Sequence, residues 1–315
     1  MTQTQLAASS GVSRQLIGAV EAGRHLPRVD AALALATALG VEVTDLFSDS
    51  SGVVDVLSGM PPETGSLVRA GRVGRTLVTA PVRAGRHGWG FPDGIVEDGR
   101  LRPFDAGAAG FVVAGCEPGL EILETMLRDQ GGGALAVPAS SRSAVAALTA
   151  GRAHAAIEHR PGEPTAHPDL ARFRFATWRV GIAAPPDADP GWFERLLDES
   201  GPIVQREEGA AAQSALLEAL PAGPVPGPVA GSHMEAVQVG AHTGMAAVTI
   251  EPVAIAAGVA FQPLETHHVD LLVVRRLLDT PSVSAALSLL GSAPFLHRLK
   301  ALAGYDLGEH GTRVA

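Results

Sequence analysis

Cysteine, lysine and aromatic side chains are nearly missing from this chain. Cys116 is the one cysteine in 315 residues. That excludes an intramolecular disulfide framework and a zinc site built on cysteine pairs, and it fits a reducing compartment. Lys300 is the one lysine among 24 basic residues. Aromatics make up 4% of the chain, so its cores must be assembled from Ala, Val and Leu. Apolar stretches such as Ala31–Val41 fall well short of the roughly 18 residues that a membrane span needs. The opening Met1-Thr2-Gln3-Thr4-Gln5 has neither the basic nor the apolar region of a secretory signal. No fixed-period repeat is evident. A cytoplasmic protein without membrane association is expected. The net charge of −9 argues against a general nucleic-acid-coating protein, but it is compatible with a small DNA-reading module in an acidic chain. An apolar content of 46% against 18% charged residues excludes disorder. The length suits two or three domains with separate cores.

The first fifty residues read as short helices. Thr2 caps a helix from Gln3 to about Ser9, and Gly11 is free to turn the chain. Ser13 caps a second helix, Arg14 to Ala22, ended by Gly23; its buried face is Leu16, Ile17 and Val20. Pro27 and Asp30 open a third helix carrying Ala31, Leu35, Ala38 and Leu39, stopped by Gly40. Thr44 caps a last turn through Asp45-Leu46-Phe47. Helix, glycine turn and helix at this spacing form a helix-turn-helix, which sets its second helix in a major groove.

The run Thr2-Gln3-Thr4-Gln5-Leu6-Ala7, Gly11-Val12-Ser13-Arg14-Gln15, Glu21-Ala22-Gly23-Arg24 and Ala38-Leu39-Gly40-Val41, ending at Asp45-Leu46-Phe47, resembles the Cro/cI-type (XRE) DNA-binding domain. The resemblance implies DNA contacts by Gln3, Ser13, Arg14 and Gln15, with Arg24 on the backbone. The chemistry agrees: Gln reads adenine edges, Arg reads guanine or phosphate, and a hydroxyl at a helix N-terminus suits phosphate. The family carries another helix before the Thr2-Gln3 position, so an upstream start codon or a shortened domain is expected. Residues 1–47 hold Arg14, Arg24 and Arg28 against Glu21, Asp30, Glu42 and Asp45. Electrostatic affinity would then come from the missing helix or from Arg69, Arg72, Arg75, Arg83 and Arg86. The alternative is a helical protein-interaction module.

Ser48-Asp49-Ser50-Ser51-Gly52 is a polar break. Short apolar runs with Gly and Pro punctuation follow, over Val53–Leu57, Thr76–Val82 and Gly94–Val96, and read as a few strands. The arginines between them line DNA or, as the favoured reading, a solvated strand face.

From about Asp105 strands and helices alternate, which predicts an α/β fold with a mostly parallel sheet. Strands are expected at Gly110–Gly115, Ala134–Val137, Ala153–Ile157, Val180–Ala183, Ile203 onward, Ala246–Ile250 and Val269–Val274, with Gln262–Glu265 crossing back. Helices are expected between them, including one capped by Ser232. Cys116 and Glu117, then Ser140, Ser141, Arg142 and Ser143, then Glu158 and His159 fall just past carboxyl ends of strands, the edge where open parallel sheets bind ligands. Hydroxyl-rich helix N-termini there suit oxyanions.

In their order, Ala114-Gly115-Cys116-Glu117-Pro118, Ser140-Ser141-Arg142-Ser143-Ala144, Gln205-Arg206-Glu207-Glu208-Gly209, Ser232-His233-Met234-Glu235 and Gly304-Tyr305-Asp306 resemble the type-2 periplasmic-binding-protein-like domain related to molybdate-binding proteins. That implies two lobes joined by two crossings, with ligand in the cleft. The ligand residues carried over are Cys116, Glu117, Ser140, Ser141, Arg142, Ser143, His159, Arg206, Glu207, Ser232 and His233. The family's Ser-Gly-Thr/Ala-Arg run is Ala210-Ala211-Ala212-Gln213 here, and its following aspartate is Met245. The loss of a hydroxyl and a cation favours a small organic metabolite over molybdate. Glu117 at the cleft would repel an oxyanion unless an arginine pairs with it.

Cys116, Glu117 and His159 lack metal-ligand spacing. His267 and His268, adjacent on a strand, would face opposite ways. No Gly-x-Ser-x-Gly elbow, Walker loop or dinucleotide fingerprint occurs. No metal, cofactor or catalytic residue is therefore expected. The expected fold class is an all-α helix-turn-helix N-terminal domain (1–48), a linker and small β-rich connecting region (49–104), and an α/β two-lobed periplasmic-binding-protein-like C-terminal domain (105–310). Lobe one comprises 105–179 and 267–310, and lobe two 180–266. The two resemblances together imply a ligand-responsive bacterial transcription regulator whose partners are double-stranded operator DNA, a small-molecule or oxyanion effector and a second copy in a homodimer. The alternatives are a small-molecule-binding adaptor without DNA contact and an enzyme in the cleft.

Overall fold

A computed structural model describes residues 1–21, 25–41, 43, 46, 52–82, 84–85, 88–89, 91–104, 109–162, 167–199, 201–220 and 225–314. The chain divides into two compact units, Met1–Gly52 and Val53–Ala315.

The first unit contains α1 (Gln3–Ser10), α2 (Arg14–Glu21) and α3 (Val29–Leu39). Thr2 and Gln5 form a reciprocal capping box at the start of α1, and Gly11 ends it in the left-handed region at φ 69°. Ser13 Oγ accepts from Leu16 N at 3.2 Å and starts α2. Val12, Ile17 and Leu35 form the core, with Leu6, Leu16 and Ala31 against it. The stop at Gly23 and the turn at Thr44, Asp45 and Phe47 lie outside the described residues.

The second unit opens with a five-stranded sheet of β1 (Val54–Asp55), β2 (Leu67–Val73), β3 (Thr76–Pro81), β6 (Gly94–Glu97) and β7 (Arg100–Pro103), in the order β1-β3-β2-β6-β7. β4 (Ala84–Gly85) and β5 (Gly88–Trp89) pair separately. The apolar runs predict β1, β3 and β6 but not β2 or β7, because arginines interrupt both. Arg69 of β2 is turned inward onto Glu124, with Nη2–Oε1 at 2.5 Å, and so does not lie on a solvated face. Arg72 is exposed, and Arg83 and Arg86 lie outside the described residues. This sheet is stitched to the rest of the unit. Gly71 bridges Ala109, and a Cβ on Gly71 would sit 2.5 Å from the Val112 side chain. Arg152 donates to the carbonyls of Val56 and Leu57 at 2.8 and 2.9 Å.

An eight-stranded sheet follows. Its strands are β8 (Phe111–Ala114), β9 (Ala134–Val137), β10 (Ala155–Arg160), β11 (Leu170–Ala183), β12 (Ile203–Arg206), β13 (Val229–Ala230), β14 (Ala246–Ile250) and β15 (Phe261–Val274). Their order is β13-β12-β14-β11-β15-β10-β8-β9. The outer three strands on each side run parallel to one another, whereas β11 and β15 pair antiparallel with each other and with their outer neighbours. The sheet is therefore mixed rather than mostly parallel. The two 14-residue strands are the crossings. Only their apolar ends read as strand in the sequence, because Arg172, Arg174, Arg179, His267 and His268 break the rest. At Gly181 the two crossings approach so closely that a Cβ would lie 2.1 Å from Gln262 O.

Helices α4 (Gly119–Asp129), α5 (Ser141–Thr149), α6 (Trp192–Glu199), α7 (Ala211–Ala219), α8 (His233–Thr243), α9 (Glu251–Ala257), α10 (Pro281–Leu290) and α11 (Ala293–Lys300) complete the unit. The main core joins Phe111, Leu123, Phe175, Trp178, Ile182, Val248 and Phe295. The last residues lie along β11, with Asp306 bridged to Thr177 and Arg313 to Phe173.

Candidate functional site

Six residues from different elements meet where the two sheet halves adjoin the crossings. Cys116 follows β8, His159 lies in β10, Trp178 in β11, Arg206 ends β12, His233 begins α8 and His267 lies in β15. All six are buried. His159 and Glu158 lie inside β10, which runs to Arg160, not past its end as the apolar run predicts. Pairing with Asp270 and Val269 of β15 carries the strand through these polar residues.

Arg206 is 2% exposed. Its Nε donates to Ala230 O at 3.0 Å, and Nη2 reaches Gly231 O at 3.1 Å and Cys116 Sγ at 3.3 Å. Nη1 has no partner. Among the described residues no carboxylate forms an ion pair with this guanidinium. A buried, uncompensated cation is costly, and an anion relieves the cost. Gln213 braces the same turn, its Oε1 accepting from Arg206 N at 2.9 Å. The residue that departs from the family run thus positions Arg206.

His233 is 1% exposed, and both its ring nitrogens lack partners. Its ring centroid lies 5.8 Å from His159 and 6.1 Å from Trp178. His159 Nδ1 meets His267 Nδ1 at 2.8 Å, and His267 Nε2 meets Glu265 Oε1 at 2.5 Å. A neutral His267 that donates to Glu265 has a lone pair on Nδ1, so His159 Nδ1 is the donor between them. Burial, then the neighbouring charges of His267 and Arg206, hold His159 well below the usual imidazole value. Burial, then Arg206, do the same for His233. His267 is lowered by burial despite Glu265.

The other expected ligand residues divide in two. Ser140 N donates to Glu207 Oε1 at 3.2 Å, and Ser140 Oγ caps α5 by accepting from Ser143 N at 3.3 Å. A Cβ on Gly209 would lie 2.6 Å from the Arg142 guanidinium carbon, and Gly209 holds φ +86°. Together with Arg206–Cys116, these contacts join the two halves. The remainder hold local structure. Ser141 Oγ accepts from His159 N at 3.2 Å. Ser232 Oγ caps α8 through Glu235 N at 3.1 Å.

Glu117 is pulled away from the role first expected of it. Among the described residues no arginine pairs with it. It is 4% exposed and accepts from Gly119 N at 2.8 Å, Trp178 Nε1 at 2.9 Å and the Tyr305 hydroxyl. Burial pushes its carboxyl up, against the lowering effect of these bonds. It ties the β8 turn to a crossing strand and to the chain end. Trp178, His267 and Glu265 were not among the expected site residues. The opposite facing of His267 and His268 does hold: His267 is fully buried, and His268 is half-buried beside the Thr177 hydroxyl at 3.2 Å.

In the first unit Ser13, Arg14 and Gln15 are exposed at the start of α2. Gln3 is half-buried, its amide donating to Glu21 Oε2 at 2.6 Å. Arg24 lies outside the described residues. Among the described residues no three His, Cys, Asp or Glu side chains are arranged to hold a metal ion, and no helix is long and apolar enough to cross a membrane.

The PBP superfamily domain family matches residues 124–291, more than half of the chain, and the chain belongs to it. The helix-turn-helix family matches residues 1–46. Among solved structures, an ABC-type phosphate transport receptor from Vibrio cholerae is similar at 14% identity, over 62% of this chain and 99% of its own, with TM-score 0.43. The tungstate ABC transporter from Geobacter sulfurreducens is similar at 11% identity, over 61% of this chain and 97% of its own, with TM-score 0.44. The full-length LTTR LysG from Corynebacterium glutamicum with bound effector Arg is similar at 17% identity, over 56% and 65%, with TM-score 0.40. No curated protein matches the chain in sequence. A helix-turn-helix joined to a PBP superfamily domain is the make-up of a ligand-responsive DNA-binding regulator.

Proposed function

We propose that this chain is a transcription regulator that reads operator DNA through α2 and binds a small-molecule or oxyanion effector between two lobes, 105–179 with 267–310 and 180–266. The observation that carries the effector site is Arg206, a buried guanidinium without a carboxylate partner, beside the unpartnered ring of His233. Effector bridging the lobes favours the closed arrangement held by Ser140–Glu207, Arg206–Cys116 and Arg142 over Gly209, which is a population shift. Closure changes the spacing of two DNA-binding modules across a homodimer, since one module contacts a half-site. Ser13, Arg14 and Gln15 face bases or phosphate from the N-terminal end of the recognition helix, with Gln3, bonded to Glu21 at the other end of that helix, as a further contact and Arg24 on the backbone.

Fluorescence anisotropy on the DNA upstream of the chain's own gene tests this. Salt-sensitive binding is expected, weakened about tenfold by Gln15→Ala. Absence of any salt-sensitive binding, with the protein as a strict monomer by light scattering, would overturn the reading.

A further inference from the structure

Arg206 and His233 are a matched pair of opposite habit. The guanidinium is always charged, whereas an imidazole in the same buried cluster of side chains is free to carry or lose its proton. Both have buried nitrogen atoms without partners, Nη1 of Arg206 and both ring nitrogens of His233. Neutral, His233 offers one donor and one acceptor. Protonated, it offers two donors. An anion that meets Arg206 supplies acceptors to both.

The surroundings decide which form each state prefers. His233 faces Arg206 of β12, His159 of β10 and His267 of β15, the last backed by Glu265. Trp178 of β11 closes one side with its ring. Glu235 on α8 itself is engaged with Gly231 N at 2.9 Å. Thr249 of β14 touches only the His233 carbonyl, at 3.2 Å. Cys116 is held by Arg206, and Glu117 is spent on Trp178, Gly119 and Tyr305. No acid therefore reaches the His233 ring directly among these groups, and the nearest full charge named is positive. Without an anion His233 stays neutral. An anion on Arg206 cancels that charge and presents a negative partner, which favours the imidazolium.

Resting on the reading that the effector enters between the lobes, we propose that the group received by Arg206 and His233 is an oxyanion and that its binding carries a proton onto His233. The protein then responds to effector and to pH together. A group that gains affinity for protons on binding makes the anion bind more tightly as the pH falls.

Calorimetric titration of the full chain tests the proposal with sulfate, molybdate and oxalate, whose own charges do not change over the range used. Titrations at about pH 6 and about pH 8, in pairs of buffers with different protonation enthalpies, report affinity and proton uptake. At least one anion is expected to bind with net proton uptake, roughly tenfold more tightly at the lower pH. Preference for the tetraoxyanions or for oxalate tells an inorganic source from an organic carboxylate. Arg206→Gln should abolish binding. His233→Gln should bind with affinity that no longer depends on pH, whereas a merely structural role for His233 would leave the pH dependence in place. Absence of binding by all three anions, or binding by wild type without proton uptake, overturns the proposal. Salt-sensitive DNA binding by the same preparation, reversed by an uncharged ligand, would then leave the regulator reading standing while this inference falls.

Discussion

Two buried arginine clusters share the eight-stranded sheet, and their charges are balanced differently. Near one end of the crossings, Arg172 meets Asp270 at 3.0 Å and Glu158 at 2.8 Å, and Arg174 lies 3.0 Å from Asp270. Arg174 Nε and Nη1 and Asp270 Oδ1 lack hydrogen bonds there, but the opposite charges are within ion-pair distance. Near the turn after β8, Arg206 rests on two carbonyls and a thiol. The first cluster matches its cations with carboxylates of its own. The second carries the desolvation cost of a cation and receives only dipoles in return.

That contrast can be broken most strongly at Asp270, which is 1% exposed. Asp270→Asn leaves buried Arg172 with the half-buried Glu158 and buried Arg174 with only the exposed Glu309 at 3.8 Å, and should cost about 3–5 kcal/mol in denaturant unfolding. Glu158→Gln touches only the half-buried partner of Arg172 and should cost about 1 kcal/mol in the same experiment. Arg206→Met is expected to unfold within about 1 kcal/mol of wild type, because relief of an unmatched charge offsets the loss of two carbonyl bonds. A loss at Arg206 as large as that at Asp270 would erase the distinction between the clusters.

A further expected effect is a slope with pH. His154 accepts from Val112 N at 3.0 Å, and burial lowers it to about 4 from 6.5. The unfolded chain therefore binds protons first, so stability falls as the pH drops from about 6.5 toward 4. Glu117 and Asp270, both raised by burial, act in the opposite sense, since the native state binds their protons more tightly. His154→Gln should reduce the loss in that window, leaving the shares of the lowered His159, His233 and His267 and the carboxylate contribution, as read from denaturation midpoints across the range.

In the described part of the first unit several caps and stops were legible in the sequence. Thr2, Gly11, Ser13 and Gly40 each act through neighbours within four residues, and such caps are written locally. Ala134–Val137 and Ala246–Ile250 were equally plain, as short apolar runs that the sheet buries on both faces. The crossings were not. In β11 and β15 a charged or imidazole side chain stands where a core strand normally carries an aliphatic one, and its partner lies far along the chain. Arg172 and Asp270 are 98 residues apart, and His159 and His267 are 108 apart. Glu117 shows the same limit. Its place after a strand suggested a cleft residue, while Trp178 and Tyr305, 61 and 188 residues away, draw it inward.

By itself the amino-acid order determined the helix-turn-helix, the alternation of strands and helices, and the turns that carry Cys116, Ser140, Arg206 and His233, because caps, turns and apolar periodicity act over a few residues. Only the tertiary structure decided which of those turns converge, which carboxylates are already engaged, and that Arg206 is buried without one. Charge balance in an interior depends on every side chain within a few ångströms, and those neighbours come from β8, β10, β11, β12, α8 and β15 at once.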